Sequence, residues 1–404
     1  MRPTTLVVGD DVYMLLGNYS GVADASKWKL LLVKGSVSGS GETKKIAWSE
    51  TRAVETAGLP KYLTRLVGGG GSGLVLSDGT LVFPMQAIKN GKNILLAMRL
   101  RQSETQWKFS SGTTGEGCRD PSIVEWKDGQ KLLAMASCEG GSYEVYDSTA
   151  AGTAWYTTGE PITRVWGNSL SRQGGYGVQG GFITASFENK KLMLLTMPVY
   201  SADAGEEKGE LHLWLTDNAR VHDVGPVSAA GDDAAASSLL YNSGGSGDEL
   251  IALYEKKTGD DSYGLAYVRL ATQLEQVKEV VRSWTALDAA LQSCKASGNL
   301  DPQEKGMCKG PLPTKGLVGF LSGKSTGGKW KDEYLCVDAT VHGAATKFTN
   351  GVTFSGAGAG AEWPVGNLGQ NQPYYFANNK FALAATVTIH AVPEEDAAPS
   401  LCCG

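Results

Sequence analysis

"PSIVEWKDGQKLLAMAS", residues 121 to 137, holds two apolar runs joined by a charged turn that contains glycine. Two such runs around a short polar turn read as a β-hairpin. The arrangement recurs in "VVGDDVYML" from residue 7, "LVLSDGTLVF" from residue 74 and "SFENKKLML" from residue 186. Single runs such as "WKLLLVKGSV" and "ELHLWLTD" lie between them. Hairpins repeated at irregular spacing point to small sheets arranged radially, a β-propeller, more than to one sandwich. This reading covers residues 1–270.

The period then changes. In "ATQLEQVKEVVRSWTALDAALQSC", residues 271–294, Leu274, Val277, Val281, Trp284, Leu287 and Leu291 recur at steps of three and four. That spacing predicts an amphipathic linker helix. Residues 295–315 form a polar linker rich in Gly and Pro. From 316 to 393 β-runs resume, among them "GLVGFLSG", "DEYLCVDATV", "GVTFSG", "AEWPVG" and "FALAATVTIHAV", and 394–404 is an acidic tail. About 80 residues is short for a full sandwich of ~100, so the second β domain reads as partial.

Composition narrows the function classes. Lys and Arg number 37 against 42 Asp and Glu, a net charge of −5, and no block of five like charges occurs. This excludes an electrostatic nucleic-acid or anionic-membrane partner. Gly9, Asp10 and Asp11 interrupt the apolar core that a signal peptide needs, and no lipid-anchor signal is legible. No apolar run is long enough to span a membrane. Seven Cys without a CxxC pair and only four His argue against a metal site, and nothing calls for a cofactor. Cys294 and Cys308 bracket a polar loop. Either a disulfide or two free thiols fits them. Asn18-Tyr19-Ser20 is a glycosylation sequon.

Several strings together resemble the trypanosomal trans-sialidase superfamily: "TRVWGNS" (163–169), "LHLWLTDNARVHDVGPVS" (211–228), "DDAAASSLLY", "AEWPVG", "NQPYYFAN" and "ATVTIH". The resemblance implies a six-bladed sialidase propeller, here without its first blade, a linker helix and a truncated lectin-like, concanavalin-like sandwich. Sialidase S-x-D-x-G-x-T-W turns match "SETQW" (103–107) and "STAAGTAW" (148–155), which keep Trp107 and Trp155 but lack the central Asp. Both Trp residues are expected to be core packing.

By the same resemblance, a retaining sialidase attacks with a Tyr, a neutral nucleophile beside the substrate's own carboxylate. A Glu takes the phenol proton, three Arg clamp the carboxylate, and one Asp serves as acid/base while another faces the sugar. The Tyr corresponds to Ala236, and no Tyr lies between Tyr200 and Tyr241. Its Glu partner corresponds to Asp120 in "CRDPSIVEW". Ser137 stands at the second clamp Arg and Lys208 at the third, with Glu206 where an aromatic covers the acceptor sugar. Arg2 stands at the sugar-facing Asp. The first Arg and the acid/base Asp lie upstream of Met1 in this alignment, and Glu255, which would orient that Arg, is retained.

No catalytic set is intact, since losing one such group already costs about 10³–10⁶ in rate. The expectation is a degenerate, monomeric surface or secreted protein binding host glycoproteins, sialoglycans or matrix. Two alternatives stand beside it: an exo-α-sialidase or trans-sialidase acting on α-2,3-linked sialic acid, and a truncated product without function. Trp363, Tyr374 and Tyr375 are candidate sugar-groove aromatics, with strand packing as the plainer reading.

Overall fold

The structure is a computed structural model. It describes residues 3–18, 29–56, 59–60, 62–126, 131–139, 143–149, 152–157, 176–200, 208–218, 220–244, 247–260, 262–293, 317, 319–332, 338–348, 351–363 and 383–390. Among the described residues it contains 25 strands, nearly all paired antiparallel and grouped into six sheets, with one α-helix and one short 3-10 helix.

The first sheet contains β1 (Thr4–Val8), β2 (Asp11–Asn18), β3 (Lys29–Ser38) and β4 (Lys45–Ala53). The second contains β5 (Thr64–Gly68), β7 (Leu74–Val75), β8 (Leu81–Lys89), β9 (Lys92–Leu100) and β10 (Lys108–Phe109), while β6 (Gly71–Ser72) crosses back to pair with β1 in parallel. The third is β11 (Cys118–Trp126), β12 (Lys131–Cys138), β13 (Tyr143–Ser148) and β14 (Tyr156–Thr157). The fourth is β15 (Phe182–Phe187), β16 (Lys190–Tyr200), β17 (Gly209–Thr216) and β18 (Val221–Pro226). The fifth is β19 (Ala234–Gly244), β20 (Gly247–Gly259) and β21 (Ser262–Arg269).

The hairpins read from sequence are present, including β11–β12 from the opening stretch. Glu188 and Asn189 both take positive φ in the β15–β16 turn, as do Asn90 and Gly91 in the β8–β9 turn. Two successive positive φ values make a type I′ turn, whose twist matches the flanking strands.

Consecutive sheets stack face to face, and a core lies in each gap. Leu6, Leu15 and Leu30 meet Phe83, Ile94 and Met98. Val82 and Leu95 meet Ile123, Leu132 and Ala134. Val124, Leu133 and Met135 meet Phe182, Met193 and Leu195. Leu192 and Leu194, on the other face of β16, meet Leu239, Ala252 and Tyr254. The middle strands β9, β12 and β16 are therefore buried on both faces, which explains their unbroken apolar runs. The first strands of neighbouring sheets also touch, β11 with β15 and β15 with β19. Their starts converge on one centre, which is the propeller arrangement. On the first and fifth sheets the outward faces are open: Trp48 is 46% and Leu265 70% exposed.

The helix α1 (Ala271–Ser293) lies where the apolar period placed it. Leu274, Val277, Val281 and Trp284 join the core of the fifth sheet. A buried guanidinium locks it there. Arg220 is 3% exposed. It donates to Asp217 at 2.7 and 2.9 Å and to Asp288 of α1 at 2.9 and 3.0 Å, with its guanidinium 4.7 Å from the Trp284 ring centre.

The sixth sheet holds β22 (Leu321–Thr326), β23 (Lys329–Asp332), β24 (Ala339–Phe348) and β25 (Gly351–Glu362). The strand expected over "FALAATVTIHAV" does not form in its described part. Residues 383–390 are unpaired, with Leu383, Val387 and Ile389 more than 60% exposed. An alternating apolar pattern makes a strand only where a neighbouring edge accepts its hydrogen bonds.

Removing Asp288 leaves a buried charge without two of its hydrogen bonds. Asp288→Ala is expected to destabilise the protein by about 1.5–3 kcal/mol, measured by urea unfolding. An unchanged midpoint would contradict this account of the helix docking.

Candidate functional site

The starts of three first strands are irregular in the same way. Register breaks fall between Thr64 and Val67 in β5, Arg119 and Ser122 in β11, and Ala234 and Ser237 in β19. Such bulges twist a strand and re-aim its side chains. Arg65 and Asp120, within two of these breaks, take φ of 51° and 58°. Contacts here are close enough to require glycine. A Cβ on Gly69 would lie 2.9 Å from Pro121 Cγ, and one on Gly181 would lie 2.8 Å from the Leu239 nitrogen.

The segment from Tyr176 to Gly181 passes through this centre, and side chains of three sheets satisfy its backbone. Gly177 N–H donates to Ser137 Oγ at 2.6 Å. The Tyr143 hydroxyl donates to Val178 O at 2.8 Å and accepts Val178 N–H at 2.9 Å. Ser122 Oγ donates to Gly180 O at 2.8 Å. Gln179 Nε2 donates to Pro121 O at 3.0 Å and Gly69 O at 3.3 Å, while Gln179 O accepts Ser237 N–H at 3.0 Å. Burial pushes the Tyr143 phenol far above its ordinary pKa. Bonded to both polar groups of Val178, it braces this segment.

The residues aligned with catalytic groups divide between this centre and its surroundings. Ala236 lies in the β19 bulge, where Ala234 pairs with Lys256 and Ser237 with Tyr254, so the intervening alanines face Glu255. Next to it Ser237 Oγ is 2.9 Å from Thr196 Oγ1. Glu255 itself is exposed and pairs with Leu265. Asp120 donates its N–H to Gln86 Oε1 at 2.8 Å, and its carboxylate, 11% exposed, stands 3.2 Å from Arg119 Nε. Ser137 is buried. Lys208 is exposed, one residue ahead of β17. Arg2, Glu206, Tyr374, Tyr375, Cys294 and Cys308 lie outside the described residues, so the Cys294–Cys308 pairing has no structural counterpart here. Asn18 ends β2 opposite Lys29. Of the two turn tryptophans, Trp107 is partly buried and packs on Phe83 at 5.5 Å between ring centres, and Trp155 is buried in the core with Leu95 and Leu132.

Sequence reasoning missed a disulfide. Cys118 and Cys138 are bonded across β11 and β12, and both are buried. The signal lay in the opening hairpin, whose two ends they flank. Counting back from the turn, Trp126 pairs with Lys131 and Ser122 with Met135, which would put Arg119 opposite Cys138. The bulge shifts the register by one residue, pairing Cys118 with Cys138 and Arg119 with Ser137.

Comparison with known proteins adds lineage to this geometry. Residues 1–255 match the family model described as BNR repeat-like domain, and residues 313–403 match the trans-sialidase C-terminal domain. A Trypanosoma cruzi sialidase is 33% identical across 97% of this chain and 34% of its own length. Another, sialidase 85-1.1 of Trypanosoma cruzi, is 31% identical across 97% of this chain and 51% of its own. The chain thus spans about a third to a half of these curated relatives. The structure of Trypanosoma rangeli sialidase in complex with sialic acid superposes with a TM-score of 0.79 at 34% identity, covering 93% of this chain and 60% of that one.

The cross-strand disulfide closes a loop of 20 residues' separation. Cys138→Ser is expected to cost about 2–4 kcal/mol of stability, read from urea unfolding. A non-reducing digest should yield the two strands as one linked peptide. Free thiols at both positions would refute the pairing.

Proposed function

The chain belongs to the sialidase/trans-sialidase family, and from that premise we propose a glycan-binding member with no glycosidase chemistry of its own. The observation that carries this reading is the alanine turn at the start of β19. Where the resemblance calls for a phenol, Ala236 offers a methyl group, and the next residue, Ser237, is tied to Thr196. The Tyr143 phenol serves the backbone of Val178.

The partners of the absent nucleophile are altered in the same direction. Asp120 is one methylene shorter than the Glu it replaces, and it sits on a strained backbone against Arg119. Ser137 is committed to Gly177, and Lys208 brings a point charge where a bidentate fork is called for. A fold retained with altered site chemistry is the usual history of a superfamily. The centre holds hydroxyls, amides and the Asp120 carboxylate, groups of the kind that hydrogen-bond sugars. A relative's structure holds sialic acid, so sialylated glycans of host glycoproteins or matrix are the ligands we assign.

A surface or secreted location belongs to the same proposal. The buried Cys118–Cys138 bond supports it, because disulfides persist in oxidising compartments. Among the described residues, no helix is long and apolar enough to cross a membrane.

The purified chain is expected to release no fluorophore from a 4-methylumbelliferyl sialoside, and Ala236→Tyr alone to stay inactive, because the catalytic groups act as one unit. A glycan array should show retention of sialylated over asialo glycans. Hydrolysis that Glu255→Ala or Asp120→Ala abolishes would overturn the proposal.

A further inference from the structure

The register shift in β11 sets Arg119 directly across from Ser137. Partners on one rung project from the same face of a sheet, and these two reach the same segment. Ser137 Oγ accepts Gly177 N–H, while the Arg119 guanidinium lies 4.0 Å from the centre of the Tyr176 ring. Tyr176 is held in turn, its hydroxyl accepting from Asn93 Nδ2 at 3.0 Å. The guanidinium thus rests over a ring that is itself hydrogen-bonded, rather than sweeping through solvent.

It is also underused. The Arg119 side chain is 37% exposed, and its one ion pair is the 3.2 Å approach of Asp120 Oδ2 to Nε. Among the described residues the guanidinium makes no hydrogen bond, although Nε is buried. A guanidinium carries five N–H donors in a rigid plane and matches a carboxylate through paired hydrogen bonds. An immobilised, half-exposed fork with free donors costs little entropy to engage.

We infer that Arg119 is a carboxylate-binding residue of this site, supplying from β11 the guanidinium that the resemblance places across the rung at Ser137. The inference rests on the glycan-binding proposal and names the residue that would read the carboxylate of its sialylated ligands. Asp120 sets the strength of the contact, since it shields one edge of the same cation.

The test titrates the full chain with N-acetylneuraminic acid and with its methyl ester, by saturation-transfer NMR. The acid is expected to bind, and the ester to bind about tenfold or more weaker. Arg119→Gln, with a thermal melt matching the parent, should weaken the acid to the same degree and leave the ester unchanged. Equal binding of acid and ester overturns the inference, as does a folded Arg119→Gln that binds the acid as well as the parent. Should that variant fail to fold, the acid-to-ester comparison on the parent decides. A parent that does not bind the acid also overturns it, whereas the absence of glycosidase chemistry is judged separately by the fluorogenic assay.

Discussion

The structure depends on sheets stacked face to face, so that every apolar gap is closed by two of them. β16 shows the constraint most clearly. Met193, Leu195 and Met197 fill the gap toward the third sheet, and Leu192 and Leu194 fill the gap toward the fifth. A strand in that position cannot alternate polar with apolar, and each buried side chain contributes about 1.5–3 kcal/mol. Radial order follows, because each sheet twists relative to the last and the first strands are drawn to one centre.

That centre is expensive in backbone terms. Bulges open the ladders of β5, β11 and β19 where they converge, and the freed groups must find partners. At the β11 bulge Gln86 accepts the Asp120 N–H and Gln179 donates to Pro121 O, while Ser122, Ser137 and Tyr143 hold the segment from Tyr176 to Gly181. A small hydroxyl at 137 is a structural necessity in this arrangement, since its oxygen lies 2.6 Å from the Gly177 nitrogen. Ser237, beside Ala236, is tied in the same way, its hydroxyl 2.9 Å from Thr196 Oγ1.

Two polar clamps hold the periphery to this core. Arg220 joins the β17–β18 turn to α1 through two carboxylates and the face of Trp284. The Cys118–Cys138 bond ties the inner ends of β11 and β12 beside the bulge, where the ladder is weakest. Both sit at the ends of elements rather than in their middles, where stacking already suffices.

The chain's own pattern determined the hairpins, because runs such as "SIVEW" and "KLLAMAS" bracket turn residues that allow little else. It also determined α1, since Leu274, Val277, Val281 and Trp284 share one face at the helical period and all four are buried. The alanine at 236 was likewise plain in the letters. Only the tertiary structure decided how β11 meets β12. A bulge costs one residue of register, and its position depends on Asp120 taking a positive φ under Gln86, which is distant in sequence. From that single slip come the disulfide, the burial of Ser137 and the placing of Arg119 on the rung across from it. Local periodicity specifies which residues form strands. The offset between strands is set by contacts that the chain makes only once it has folded.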